Sequence, residues 1–169
     1  VSQSGVSQAG QGITAIRIEG VAPSVDSRCE SLKTLLKPFG ALEELHTANS
    51  NTLWQEIRDV SFFTGLDHQE KQVWKLSVPP ASGADVAIRL RQMLTGDIYY
   101  DWGGGLIWLA IGACEDAAQN IVRGALVEGG SGGHATLIRA HESVRSNVNV
   151  FQPQPAPLAA LSARVKEAF

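Results

Sequence analysis

The chain has few cysteines, no long apolar run and no cluster of basic residues. Its two cysteines, Cys29 and Cys114, form no C-x-x-C pattern, which predicts two buried, reduced thiols and no disulfide framework. The longest apolar run, Leu106–Ile111, has six residues, whereas a transmembrane helix needs roughly 18. The net charge is −3, from 14 basic and 17 acidic residues spread along the chain. This balance argues against nucleic acid and against an anionic membrane surface as partners.

The common catalytic fingerprints are also missing. There is no G-x-S-x-G nucleophile motif, and residues 129–133 lack the Gly-Lys-Ser/Thr of a phosphate-binding loop. The glycines at 103–105 precede a strand pattern, whereas a dinucleotide fingerprint precedes a helix. His134, His141 and Glu142 form only a loose cluster, so we expect no metal site.

Strand and helix patterns alternate between residues 72 and 138. The strand patterns lie at 72–78, 98–102, 106–111 and 135–138, and the helix patterns at 84–94 and 115–128. This is the β-α-β-β-α-β order of a ferredoxin-like core. A further β-α-β unit is predicted at residues 14–46, with strands at 14–19 and 41–46. The expected fold is therefore α+β: a mixed, mostly antiparallel sheet with helices mainly on one face.

The segments around this core are predicted to be less regular. Residues 1–12 are rich in Ser, Gln and Gly and carry no charge, which predicts a flexible lead-in to one domain at 13–169. After Ala140, an irregular crossing rich in Asn and Pro leads to a helix that opens at Pro157.

Two glycine-rich stretches at strand ends form the candidate contact surface. They are residues 101–105 and 132–136, and glycine permits a close approach between backbone and ligand. His134 is the candidate catalytic base, because histidine exchanges protons near neutral pH. Arginine binds carboxylates in a bidentate manner, which makes candidates of Arg17, Arg89, Arg91, Arg123 and Arg139. Arg139, at the end of the His134 strand, is the best placed, and we expect Arg139 or Arg17 near a substrate carboxylate. The full set of residues expected to face a substrate or cofactor is Trp102, Gly103, Gly104, Gly133, Thr136, Arg139 and Arg17.

These stretches resemble the C-terminal part of the FAD-binding E subunit of bacterial glycolate oxidase, an FAD-linked oxidase of the vanillyl-alcohol-oxidase type. The resemblance covers roughly residues 13–169. Its motifs are Asp101-Trp102-Gly103-Gly104 followed by Leu106-Ile-Trp-Leu109, Gly132-Gly-His-Ala-Thr136, Phe151, Pro157-Leu158 and Thr14-Ala-Ile-Arg-Ile-Glu-Gly20.

The resemblance implies a cap domain that covers the substrate side of FAD in an oxidoreductase acting on glycolate or D-lactate. The flavin domain of the family precedes this region, and an Asp-Pro…Asn-Pro-Gly-Arg segment follows it. Since the sequence contains neither, we expect an excised cap domain that is inactive alone. The implied partners are a small 2-hydroxy acid, a second flavin subunit and an iron–sulfur subunit. The implied location is the cytoplasm, with peripheral membrane association through partner subunits as a variant.

Two alternatives stay open at this point. The first alternative is a non-catalytic module that assembles the same complex, with the four tryptophans as part of a partner surface. A free-standing ferredoxin-like domain that binds small acids fits the fold alone, and fold alone is weak support for function.

Overall fold

A computed structural model describes residues 12–65, 69–128, 130 and 132–168. The chain divides into two compact units, Val1–Phe62 and Phe63–Phe169. The predicted lead-in lies almost wholly outside the described residues, so the predicted boundary at residue 12 stays a prediction.

The second unit contains a four-stranded sheet. Its strands are β1 (Gln72–Ser77), β2 (Gly96–Asp101), β3 (Leu106–Ile111) and β4 (His134–Arg139), in the spatial order β2-β3-β1-β4. All three pairs of neighbouring strands are antiparallel. The α+β class is therefore confirmed, and the description of the sheet as mixed is wrong for the described strands.

Two helices connect the strands that lie apart in the sheet. Helix α3 (Gly83–Met93) joins β1 to β2, and α4 (Gln119–Val127) joins β3 to β4. Their apolar residues pack on one face of the sheet, against the alternate side chains of the strands. The largest fully buried side chains of this core are Trp74, Leu76, Leu90, Ile107, Leu109, Leu126 and Leu137. The prediction of helices mainly on one face is confirmed for α3 and α4. Met93, the last residue of α3, is exposed although its helical spacing from Val86 and Leu90 predicts burial.

Helix α4 begins four residues later than the predicted start at Glu115. Ala117 and Ala118 have left-handed backbone angles, with φ of 49° and 51°, so the helix cannot start before them. The Trp74 indole donates to the Ala117 carbonyl at 2.9 Å, and the Ala118 amide donates to the Asp116 carboxylate at 2.9 Å. The buried tryptophan thus fixes where the helix begins.

The segment after Ala140 contains a helix that the sequence analysis missed. Helix α5 (Glu142–Asn147) begins after His141, whose Nδ1 accepts a hydrogen bond from the Ser143 amide at 3.3 Å. Its buried Val144 joins the core. The following crossing is attached to α4 by Arg123, which donates to the Asn149 carbonyl and, at 3.2 Å, to the Phe151 carbonyl. Helix α6 (Ala156–Glu167) ends the described chain and buries no residue.

The first unit corrects the predicted β-α-β arrangement. Its helices are α1 (Ala22–Leu36) and α2 (Thr47–Arg58), but residues 14–19 and 41–46 form no strand. Ile16 and Leu42 are exposed, and α1 buries no residue. An alternating pattern becomes a strand only where another strand pairs with it, and none of the described residues of this unit form one.

The cysteines also differ from expectation. Both thiols are free, as predicted, but Cys114 is exposed and Cys29 is only half-buried. The Cys114 thiol donates to the Gln72 side-chain oxygen at 3.4 Å, and partial burial raises the pKa of this thiol. Gln72 also donates to the Cys114 carbonyl at 2.6 Å, so the loop after β3 is attached to β1.

Candidate functional site

The face of the sheet opposite α3 and α4, here called the second face, presents a row of four side chains. Tyr99 on β2 lies opposite Trp108 on β3, which lies opposite Lys75 on β1, which in turn lies opposite Thr136 on β4. Lys75, Trp108 and Thr136 each alternate with buried core residues of their strands, and Tyr99 lies directly opposite Trp108, so the four side chains share one face. All four are half-buried.

The row is aromatic at one end. The rings of Tyr99 and Trp108 stack with centroids 6.4 Å apart and an interplanar angle of 21°. Phe63 tilts against Tyr99 at 5.3 Å. Burial, and secondly the charge of Asp101, raise the pKa of the Tyr99 phenol well above its usual range. The phenol is therefore neutral at physiological pH.

Trp102 extends the aromatic surface beyond the end of β2. The predicted strand to residue 102 stops at Asp101, whose carboxylate accepts a hydrogen bond from the Trp102 amide at 2.7 Å. Trp102 then begins a 3-10 turn in a left-handed conformation, with φ of 54°. Its side chain is 64% exposed, and the centre of its ring lies 5.8 Å from the Lys75 ammonium nitrogen. Lys75 lies at a similar distance, 5.7 Å, from the Trp108 ring.

His134 and Thr136 lie on this same second face. They are two residues apart on β4, where His134 is opposite Ser77 and Thr136 is opposite Lys75. His134 is exposed at the start of the strand. The structure therefore places three of the predicted residues, Trp102, His134 and Thr136, on one face of the sheet.

Close packing within the fold explains two of the three predicted glycines. A Cβ atom on Gly104 would lie 2.8 Å from the Pro80 carbonyl oxygen, and one on Gly133 would lie 2.3 Å from that of Ser77. Both have positive φ, 96° and 113°. Only Gly103, with φ of 61°, has open space where a side chain would be. Close packing of the chain against itself explains Gly104 and Gly133 without a ligand.

The two predicted arginines have partners within their own units. Arg139 is at the far end of β4 from His134, about 17 Å along the strand at 3.3–3.4 Å per residue. Its Nε donates to the Lys71 carbonyl at 3.0 Å. Arg17 belongs to the first unit, where it pairs with Glu19 and lies 5.7 Å from the centre of the Trp54 ring. Within the second unit, Arg139 therefore does not join the row.

Three residues of this face were missed in the sequence: Lys75, Trp108 and Tyr99. The available signal was that Lys75 lies between Trp74 and Leu76, so it must point away from the face they share. Trp108 was hidden within a continuous apolar run, which indicates a central strand but gives no face.

The described residues contain neither a metal site nor a membrane-spanning helix. Within the described ranges, no group of three or more His, Cys, Asp or Glu side chains is arranged to hold a metal ion. Across the same residues, no helix is both long enough and apolar enough to span a membrane.

Comparison with known proteins gives no relative. The chain has no significant match among protein-family models, curated proteins or solved structures.

Proposed function

We propose that this chain is the cap domain of a flavin-dependent 2-hydroxyacid oxidoreductase subunit, whose second face covers the substrate side of FAD. The observation that carries the proposal is the grouping of Trp102, Trp108 and Tyr99 with Lys75, Thr136 and His134 on one face of the sheet. The motif resemblance supplies the identity of the cofactor and the substrate class.

The residues present fit the covering of a flat ring. Indole and phenol rings pack well against planar aromatic groups, and the large exposed fraction of Trp102 leaves its ring available for such contact. FAD, when bound, supplies the hydride-accepting chemistry. Trp102 and Trp108 exclude water from the reacting centre. His134 takes the hydroxyl proton of the acid, and the Thr136 hydroxyl, two residues along the same strand, orients the acid.

The test uses the full-length parent protein, purified with its partner subunits. Glycolate or D-lactate is expected to bleach the visible flavin band. His134→Ala is expected to lower kcat/KM by about tenfold or more, because a positioned base contributes at least that much. His46→Ala, an exposed histidine in the first unit, is the matched control and retains full activity.

The outcomes separate the proposals. Unchanged kinetics for His134→Ala would remove this residue from the site. A parent protein without flavin would overturn the proposed function as a whole.

One observation favours the alternative of a non-catalytic assembly module. Helix α6 exposes Leu158, Leu161 and Val165, spaced three and four residues apart along one stripe. If this stripe binds a partner subunit, Leu161→Lys releases that subunit from the purified complex. Release of the subunit, together with normal turnover by His134→Ala and Trp102→Ala, would select the assembly function.

A further inference from the structure

Lys75 has an unusual place at the centre of the second face. It lies on β1, an inner strand with β3 on one side and β4 on the other. Its cross-strand neighbours are Trp108 and Thr136, and Trp102 approaches from the turn after β2. A charged side chain in the middle of a sheet, beside two indole rings, costs desolvation free energy unless another group compensates its charge.

The charge of Lys75 has no carboxylate partner among the residues that the structure describes. Other lysines do: Lys71 pairs with Asp97 at 2.5 Å, and Lys33 pairs with Glu44 at 2.7 Å. The ammonium of Lys75 instead lies 5.7 and 5.8 Å from the centres of the two indole rings. These are cation–π distances, which stabilise the positive charge.

Cation–π contact leaves hydrogen-bonding capacity unused. An ammonium has three N–H donors, and the rings compensate its charge without an acceptor oxygen. Lys75 is half-buried, which lowers the effective dielectric constant around its charge and strengthens its attraction to an anion. Thr136 lies directly opposite Lys75 on β4, so its hydroxyl is a further donor on the same face.

We infer that Lys75, Trp102, Trp108 and Thr136 form a binding site for a small carboxylate, with the Lys75 ammonium binding the carboxylate group. This inference rests on the proposed function for the identity of the acid, a 2-hydroxy acid. It assigns the binding of the substrate carboxylate to Lys75, whereas the sequence analysis assigned it to Arg139 or Arg17.

The test measures carboxylate binding to the 169-residue chain itself, without flavin. Glycolate is titrated while the ε-methylene NMR signals of lysine are followed, since two nearby indoles shift the Lys75 signal away from the others. We expect a saturable shift of that signal with glycolate. Neutral glycolamide, and sodium chloride at matched ionic strength, are expected to cause no such shift.

Variants identify the residue responsible. Binding is followed in each by tryptophan fluorescence, because Trp102 and Trp108 line the site. Lys75→Met keeps the length of the side chain and is expected to weaken glycolate binding by about tenfold or more, since it removes hydrogen bonds to a charged group. Lys75→Arg keeps the charge and is expected to retain binding. Lys166→Met on α6 is the control for the change in net charge and binds as the original chain does.

Two results would overturn the inference: glycolate binding to Lys75→Met at unchanged affinity, or the same NMR shift caused by sodium chloride. Failure of the proposed function looks different. A parent protein that holds no flavin, together with glycolate binding that depends on Lys75, would refute the oxidoreductase and leave an acid-binding domain.

Discussion

At the scale of single residues, the fold explains two of the glycines differently from the sequence. In the sequence, glycines beside Trp102 and His134 indicate a backbone that a ligand approaches closely. In the structure, Gly104 and Gly133 are approached by the chain itself, at the carbonyls of Pro80 and Ser77. In both interpretations, glycine indicates that another group lies close to the backbone. The sequence alone does not show whether that group is a ligand or part of the chain itself.

Gly133→Ala is expected to destabilise the chain by roughly 2–4 kcal/mol. The new methyl group would overlap the Ser77 carbonyl oxygen, and alanine is strained at a φ of 113°. Gly124→Ala is the matched control, because it lies inside α4 with open space around it and gains up to about 1 kcal/mol of helix propensity. Urea unfolding of both variants measures the difference. Equal stability of the two variants would contradict the packing described at Gly133.

At the scale of elements, the residue at which a helix begins depends on tertiary contacts, which the hydrophobic periodicity of the sequence does not encode. The spacing of apolar residues predicts a buried stripe of Ala118, Ile121, Val122, Ala125 and Leu126, and the last three are the buried residues of α4. Its start is wrong by four residues, because Trp74 on β1 holds Ala117 in a left-handed turn. A hydrogen bond between residues 43 positions apart decides where this helix begins.

Trp74→Phe tests that hydrogen bond. The change removes the indole N–H, leaves the buried Ala117 carbonyl without its donor and opens a small cavity, so we expect a loss of roughly 2–3 kcal/mol in the free energy of unfolding. Trp102→Phe is the control, because that side chain is mostly exposed, and its stability is expected to change by less than about 0.5 kcal/mol. Thermal and urea unfolding measure both. Similar losses in the two variants would show that Trp74 does not act through Ala117.

At the scale of the whole molecule, the two units differ in what they bury. The second unit holds all four described strands and the main core cluster. In the first unit, α1 buries nothing, and the buried residues of α2 are Leu53 and Glu56. A packed core is what supplies most of the stability of a domain.

A chain of residues 63–169 is therefore expected to fold by itself. It should keep its strand signal in circular dichroism and unfold in one cooperative transition in urea, since its core is internal to it. The complementary chain, residues 1–62, is expected to show no cooperative transition. Loss of the transition in 63–169 would mean that its core needs the first unit.

The sequence by itself determined the elements that local periodicity defines. Strand β3 lies at the predicted residues 106–111, and β1 and α3 begin and end within one residue of prediction. It also determined three of the side chains that α4 buries, Val122, Ala125 and Leu126. Period and face are local properties, because each follows from the backbone geometry of a few consecutive residues.

Only the tertiary structure decided which patterns became strands and which side chains met. Residues 14–19 alternate as well as β1 does, yet they form no strand, because no described strand pairs with them. Lys75 reaches Trp102 and Trp108 because β1 pairs with β3, and a turn after β2 carries Trp102 towards it. Pairing joins residues that are distant along the chain, and no local pattern encodes the partner.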